Sequence, residues 1–518
     1  MFWKDKNYNK FVTKRLFTVA LFIILSIAGI CFSIYFFYIA NNIWMYLLAA
    51  AFTFLSFIAA FFNVYASIWY FRSIFYDEYL KEIDKNKKLP RVLPNVAIIV
   101  PTYNEAPAMV EKNLSELLKM NYPKKKLKFY LADDSTKPEI VNALEEISKK
   151  YNIKFVHRNE RTGFKAGALN NVIKHIKADY IAIFDADENL KDKNFLLDLL
   201  PYFNDKSVSF IQTEKRYEKS NNLFSNSVDI FDGFFFKFIQ PARALNNTAI
   251  FAGSCGIIRR SALEKVGYFP EYVIEDTFFS FESNLHNFKS IYIPKVYARG
   301  QPIETFTHLA KQQWRYNYGD TQFISYFFKN KSTNGSPLSK LDYTTHGFGL
   351  NYLSVVLILF TLVSVGTIFL NVPFSHIDLV QFFTHNQIDI DLELLGFFAF
   401  MLSIFTPVIL TKIYFGSLKE GLMIFLLNFA LAFVRTKAAI AAIFNRSPTG
   451  MWGSFRQMKG KKSLIISILN SKVEVAFSLF LIILAAFAFS ESNIAGGAWL
   501  IGYGFLYMLT TIFFYKYG

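Results

Sequence analysis

Long apolar runs at both ends of the chain enclose a central stretch in which short apolar and charged segments alternate. The runs at 16–40 and 43–69 are separated by Asn41 and Asn42, and each has the ~20 residues that a membrane-spanning helix needs. Similar runs are found at 350–370, 392–413, 472–490 and 495–514. The pattern therefore predicts about six transmembrane helices, two before the central stretch and four after it.

Within the central stretch, short apolar strands alternate with helix-like segments. Strands are predicted at 96–100, 127–132, 155–156, 180–184 and 207–212, and helices at 110–120 and 139–150. This order is typical of an α/β domain with a Rossmann-like parallel sheet, which binds ligands beyond the carboxyl ends of its strands. We therefore predict a two-span region at 1–75, an α/β domain with interfacial helices at 76–345 and a C-terminal membrane region at 346–518.

Two carboxylates follow the most apolar of these strands. Asp185 and Asp187 come directly after the run 180–184, spaced i, i+2. Such a pair can share one hard divalent cation, Mg²⁺ or Mn²⁺, which keeps water and substrate phosphates as its other ligands. An isolated Asp-x-Asp is also common in turns and helix caps, so the pair alone leaves both interpretations open.

Four other groups of polar residues are candidates for chemistry. Asp133 and Asp134 end a second predicted strand, and Glu275 and Asp276 follow an apolar pair. Lys165 lies in a loop with two glycines that can approach phosphate closely, although a plain helix start has the same pattern. The helical face that carries Gln312, Arg315 and Tyr316 can form a pocket or an ordinary amphipathic surface.

Composition and charge agree with a membrane protein. Hydrophobic residues make up 53% of the 518 residues, and the mean hydropathy of +0.25 is too high for one ordinary soluble domain. The net charge of +16 is spread over ends and loops, which indicates anionic membrane lipid as a partner and no nucleic acid. The two cysteines, Cys31 and Cys255, form no disulfide framework.

The distribution of charge predicts the orientation in the cytoplasmic membrane. Basic residues precede the first predicted span and follow the second, which places the N-terminus and the α/β domain in the cytosol. The loop 371–391 has acids and no Lys or Arg, whereas 435–462 has seven basic residues and no acid. We therefore predict an external loop at the first segment, and an interfacial or re-entrant helix within 418–462 at the second.

In this order and spacing, four motifs resemble those of the membrane-integrated family 2 glycosyltransferases, which include cellulose, hyaluronan, chitin and mannan synthases. They are Asp133-Asp134, Asp185-x-Asp187, Glu275-Asp276 and Gln312-x-x-Arg315-Tyr316. The resemblance covers residues 92–320 and implies a cytosolic GT-A domain inserted between transmembrane helices. It departs from the family at Ile274 and Ala252, which replace Thr and Cys, and at Tyr316, which replaces Trp.

The resemblance also implies roles for individual residues. A divalent metal would be bound by Asp185 and Asp187, and the general base would be Asp276, acting with Glu275, Gln312 and Arg315. The implied donor-binding residues are Thr102, Tyr103, Glu105, Asp133, Asp134, Lys165, Asp185 and Arg315. The implied acceptor-binding residues are Gly253, Ser254, Trp314 and Tyr316. The family's gating-loop motif has no clean counterpart at 445–452, which leaves processivity open.

We interpret the chain first as an enzyme that transfers sugar from a nucleotide sugar, such as a UDP-sugar, to a growing β-linked polysaccharide and passes the product across the membrane. One base and no second carboxylate acting as nucleophile imply inversion. The main alternative is the addition of a single sugar to a lipid or lipid-linked acceptor. The third interpretation is a transporter or scaffold with an inactive transferase domain. The sequence does not identify accessory export subunits.

Overall fold

The computed structural model describes residues 6–85, 87–330, 336–369, 402, 405–445 and 463–518. Two long helices and a short one come first: α1 (Lys6–Ile39), α2 (Ile43–Arg72) and α3 (Tyr76–Asp84). Asn42 ends the predicted turn between the long helices, because its side chain accepts a hydrogen bond from the Met45 N–H and caps α2. The predicted external loop at 371–391, most of the predicted span at 392–413 and segment 446–462 lie outside the described residues.

An α/β domain follows. Its strands are β1 (Val96–Thr102), β2 (Leu127–Asp133), β3 (Lys154–His157), β4 (Tyr180–Ile183), β5 (Asn189–Leu190), β6 (Val208–Thr213), β7 (Arg216–Tyr217), β8 (Gly256–Arg259), β9 (Lys289–Ile293) and β10 (Ala298–Gly300). Its helices are α4 (Pro107–Leu117), α5 (Pro138–Tyr151), α6 (Phe164–Ile173), α7 (Phe195–Leu199), α8 (Leu223–Phe234), α9 (Gln240–Ala244), α10 (Arg260–Lys265), α11 (Glu275–Leu285) and α12 (Phe306–Lys329). A π-helical turn, Phe235–Ile239, joins α8 to α9.

The main sheet is mixed rather than wholly parallel. Its strand order is β3-β2-β1-β4-β8-β6-β9, and β8 runs antiparallel to both of its neighbours. The chain leaves β6 at the carboxyl edge of the sheet, passes through α8 and α9, and enters β8 from that same edge. The difference matters for the site, because residues 250–255, which precede β8, are thereby placed beside the carboxyl end of β4.

Helices cover both faces of this sheet. Along β1, Val96, Ile98 and Val100 point into one apolar core, and Ala97 and Ile99 point into the other. All five side chains are at most 2% exposed, as expected for a central strand buried on both faces. The sheet is therefore a rigid support whose carboxyl edge is held in place from two sides.

The C-terminal part is helical, with α13 (Pro337–Phe369), α14 (Thr406–Phe415), α15 (Leu418–Ile443), α16 (Leu464–Asn470), α17 (Lys472–Ser490) and α18 (Ile494–Tyr517). Among the described residues, five helices are long and apolar enough to cross a membrane, or six if the bent α13 counts as one span. One of the five is α15, a continuous helix of 26 residues that begins at the start of the predicted segment 418–462. Its predicted interfacial or re-entrant placement remains a prediction.

Two polar contacts fasten the membrane helices to the α/β domain. On α15, Arg435 is fully buried, and its Nε and Nη1 donate to Gln313 of α12 at 3.0 Å and to Asn428 at 3.2 Å. On α13, the buried Asp342 carboxylate accepts hydrogen bonds from α2 and from the loop after α9. These donors are Tyr65 Oη, Trp69 Nε1, Asn246 Nδ2 and Thr248 Oγ1.

We expect Asp342→Ala to destabilise the protein strongly. The Arg72 guanidinium, 3.6 Å from Asp342, would lose its anionic partner while remaining largely buried. Breaking a buried ion pair in this way costs about 3–5 kcal/mol of unfolding free energy. Thermal unfolding of the purified protein in a neutral detergent measures the effect. The control is Asp205→Ala, which removes an exposed pair with Lys289 and should change stability little. Equal effects of the two changes would contradict this account of the junction.

Candidate active site

Three neighbouring parallel strands bring the first polar groups together. Thr102 at the end of β1 pairs in register with Asp133 at the end of β2, and β4 ends on the other side of β1. Asp133 accepts hydrogen bonds from Thr102 Oγ1 at 2.8 Å and from Ser135 Oγ at 2.6 Å, and it contacts His157 Nδ1 at 2.7 Å. Asp133 therefore binds the ends of β1 and β3 to β2.

The second acid of this pair holds the following loop. Asp134 receives two hydrogen bonds from Arg158, at 2.8 Å from Nε and 2.6 Å from Nη2. The Arg161 guanidinium lies 3.5 Å from the ring centroid of Tyr103, whose N–H donates to Glu105. These contacts form a pocket of carboxylates, guanidinium groups and one aromatic face at the sheet edge. Sequence reasoning missed Arg158 and Arg161, although both lie in the basic loop that precedes Lys165.

Asp185 lies beyond β4 and is held by two lysines. Lys165 Nζ is 2.5 Å from Oδ1 of Asp185, and Lys215 Nζ is 3.3 Å from Oδ2. Burial alone would raise the pKa of Asp185, but the two ammonium groups lower it below the ordinary value for Asp. Asp185 is therefore a permanent anion around which both lysines are ordered.

Asp187 has the opposite environment. Burial, together with the nearby Asp185 and Glu188, raises the pKa of Asp187 to about 7. No described side chain donates a hydrogen bond to it, and no group of three His, Cys, Asp or Glu residues in the described part of the chain could hold a metal by itself. Lys215 offsets the repulsion from these acids only in part, and such a carboxylate fits a divalent cation whose remaining ligands come from a bound phosphate and water.

The predicted acid pair, Glu275 and Asp276, begins α11 and interacts with Lys165. Burial and the neighbouring Asp276 raise the pKa of Glu275 to about 7. Burial also raises the pKa of Asp276, while Lys165 and Arg315 act in the opposite direction. Gly253 has a φ of +76°, and a Cβ placed on it would lie 3.0 Å from Asp276 Oδ2 and 3.5 Å from Lys165 Nζ. Loop 250–255 thus lies directly against the acid pair.

Helix α12 closes the other side of the site. Burial acts to lower the pKa of Arg315, but Tyr316, Glu275, Asp185 and Asp276 raise it above the ordinary value. Gln312 Nε2 donates to Tyr217 Oη at 3.3 Å. A Cβ on Gly319 would lie 2.6 Å from Ile274 Cγ2, so glycine allows α12 to lie on the turn before the acid pair.

Two further charged residues belong to this site, and one predicted residue does not. Glu188, 2% exposed, accepts hydrogen bonds from the Asp185 N–H and from Ser254 Oγ, and Lys215 contacts both Glu188 and Ser254. Glu188 directly follows Asp187 in the sequence, and this position was the one signal that could have identified it. Nothing in the sequence pointed to Lys215. Trp314, predicted at the acceptor, is 2% exposed and packs in the apolar cluster between α8, α12, α15 and α18.

Comparisons with known proteins agree with this arrangement. Residues 97–267 match the family model for glycosyl transferase family 2. The UDP-forming cellulose synthase catalytic subunit of Pseudomonas fluorescens (strain SBW25) is 29% identical over 246 residues, which is 46% of this chain and 32% of that protein. The probable glucomannan 4-beta-mannosyltransferase 7 of Oryza sativa subsp. japonica is 30% identical over 238 residues, or 44% of this chain and 40% of that protein.

The chain thus spans less than half the length of these two relatives. Among solved structures, the mannosyltransferase PcManGT from Pyrobaculum calidifontis, in complex with GDP-Man and Mn²⁺, covers 74% of this chain and 99% of its own, with 18% identity and a TM-score of 0.49. The family match and the mixed sheet confirm the predicted α/β fold. Residues 97–267 are a family 2 glycosyltransferase domain of the GT-A fold, in a chain that resembles the membrane-integrated members of that family.

Proposed function

We propose that the protein transfers a sugar from a nucleotide sugar to a growing β-linked glycan, with inversion at the anomeric carbon. The observation that carries this proposal is that Lys165 Nζ lies 2.5 Å from Asp185 Oδ1 and beside Gly253, the residue that lies against Asp276. Two carboxylates distant in sequence, one suited to a metal and one suited to a base, are therefore close to the same cation. The UDP-forming relative supports UDP as the nucleotide.

The donor side would neutralise the leaving nucleoside diphosphate. A divalent cation, Mg²⁺ or Mn²⁺, would be held by Asp187 with Asp185 and would supply Lewis-acid stabilisation of the diphosphate. Lys165 places an ammonium group 2.5 Å from Asp185, and Arg315 offers a planar guanidinium suited to two phosphate oxygens. The Asp133 and Asp134 pocket lies at the adjacent strand ends, where the nucleoside would bind.

The acceptor side would supply the base. In one displacement, the acceptor oxygen forms its bond to the anomeric carbon as the bond to the diphosphate breaks, and the hydroxyl proton passes to Asp276. An α-linked donor then gives a β-linked product. Gly253 lies directly against Asp276, Tyr316 is close enough to interact with that carboxylate, and the Tyr316 ring would offer a face for a sugar. The apolar helices around the domain would conduct the lengthening glycan across the membrane.

We expect the purified protein in lipid nanodiscs to form a β-linked polymer from one member of a panel of UDP-sugars with Mg²⁺ or Mn²⁺. Sizing of the product before and after linkage-specific hydrolases measures both length and linkage. A product of one sugar on a lipid would instead establish the alternative, non-processive reaction. An α-linked product would contradict inversion.

We expect Asp187→Asn to lower transfer by about 10³-fold or more, because a metal bound there would lose one carboxylate ligand and its negative charge. UDP binding measured by calorimetry should also lose its dependence on Mn²⁺. Asp192→Asn is the matched control, since that carboxylate pairs with Lys295 away from the site and should leave activity unchanged. Full activity of Asp187→Asn, or of the unmodified enzyme in excess chelator, would exclude the metal.

We expect Asp276→Asn and Arg315→Ala to fail in different ways. Loss of the base should lower kcat by the ~10² to 10⁴ typical of general base catalysis while UDP binds normally. Loss of the guanidinium should weaken UDP binding as well as turnover, because Arg315 would contact the leaving group. Calorimetric titration with UDP and steady-state kinetics separate the two effects. If Asp276→Asn bound UDP weakly and kept its turnover, the assignment of Asp276 to the acceptor and of Arg315 to the leaving group would be wrong.

A further inference from the structure

A cluster of basic side chains surrounds the C-terminal end of α14, far along the chain from the motifs of the active site. We call it the α14 cation cluster, and its members are Lys14, Arg15, Lys237 and Lys412. The three lysines bind backbone carbonyls at that helix end. Lys14 Nζ donates to the carbonyl of residue 413 at 2.6 Å, Lys237 Nζ to that of 414 at 3.3 Å, and Lys412 Nζ to that of 416 at 3.3 Å.

Arg15 forms the buried part of the cluster. It is 2% exposed and lies among the rings of Phe11, Phe238 and Tyr414, with its guanidinium carbon 4.6, 4.1 and 5.0 Å from their centroids. Its Nε and Nη1 atoms are buried and have no hydrogen-bond partner. Aromatic rings hold this cation in place, but they leave these two nitrogen atoms without an acceptor for their hydrogens.

The protein supplies too little negative charge for these four cations. No ion pair within 4.0 Å involves any of the four in the described part of the chain, where other basic residues do form such pairs. The end of a helix is equivalent to roughly half a negative charge, which is less than the charge of the four cations. The acids that act on the cluster, Asp77 on Arg15 and Glu214 on Lys237, form no ion pair with it, so the cluster keeps a net positive charge.

The position of the cluster indicates what supplies the missing charge. Leu16 and Phe17 follow Arg15 directly and are 46% and 53% exposed, and they begin the apolar run of the candidate span Asn9–Ile39. The cations therefore lie where a membrane-spanning helix meets the headgroup layer. Basic pockets between transmembrane helices at a cytoplasmic surface bind the phosphates of anionic lipids.

We propose that the α14 cation cluster is a binding site for the phosphate of an anionic membrane lipid. The phosphate accepts hydrogen bonds from Arg15 and from the remaining N–H groups of Lys14, Lys237 and Lys412. Lys237 belongs to the π-helical turn of the transferase domain, whereas the other three belong to α1 and α14. One lipid thus connects the transferase domain to two helices of the membrane region.

The test is native mass spectrometry of the full-length protein in a neutral detergent, titrated with phosphatidylglycerol. The variant K14Q/K237Q/K412Q should bind the first phosphatidylglycerol at least about tenfold more weakly than the unmodified protein, since each lysine adds attraction to anionic lipid. Its binding of phosphatidylcholine should not change. The matched control is K124Q/K125Q/K126Q, which removes three positive charges from the exposed turn before β2 and should keep the affinity.

A single variant and a competition with inorganic phosphate test the lipid site further. Lys237 is exposed, so the single change Lys237→Gln should preserve folding and still weaken the first phosphatidylglycerol by about threefold or more. Millimolar inorganic phosphate should not displace the lipid beyond the effect of chloride at equal ionic strength. Unchanged affinity in both cluster variants, or an equal loss in the control triple, would overturn the site. Displacement by inorganic phosphate would assign it to a soluble anion and overturn the lipid.

Discussion

The structure depends on the charge balance of one buried site. In the part of the chain that the structure describes, three cations interact with five carboxylates. The cations are Lys165, Lys215 and Arg315, and the carboxylates are Asp185, Asp187, Glu188, Glu275 and Asp276. Ionised carboxylates close together in a low dielectric repel one another, which is why two of them have pKa values near 7. The lysines relieve the repulsion at Asp185, and Asp187 is left for a divalent cation.

The repulsion between these carboxylates is tolerated because the sheet edge is supported from both faces and the other elements of the site meet at that edge. Strands β1, β2 and β4 end side by side, and the antiparallel β8 begins there, so the loop before it is placed against Asp276. Helix α12 then lies on the turn at Ile274, where only glycine at 319 leaves room. The positions of these elements therefore bring the proposed donor-binding and acceptor-binding groups to one edge of the sheet.

The same helix connects the site to the membrane region. Gln313 and Trp314 of α12 pack against α15 on the face opposite Arg315, and Arg435 bonds Gln313 from within the membrane helices. The Asp342 junction adds a second attachment between α2, α13 and the domain. The α14 cation cluster lies at a third attachment, where Lys237 of the π-helical turn meets the end of α14. A movement of the membrane helices would thus reach Arg315 through the packing of α12.

The sequence by itself predicted apolar helices, the α/β domain and the four motifs of acidic and basic residues, because apolar periodicity and residue type are local properties. It singled out Asp185, Asp276 and Arg315, which the structure brings close together, without contact information. Only the tertiary structure decided that β8 runs antiparallel, that Trp314 points into the core, and that Lys215 and Arg158 complete the site. These facts depend on contacts between residues distant in the chain. Single basic residues in loops have no sequence pattern that predicts such contacts, because tertiary packing determines which residues they meet.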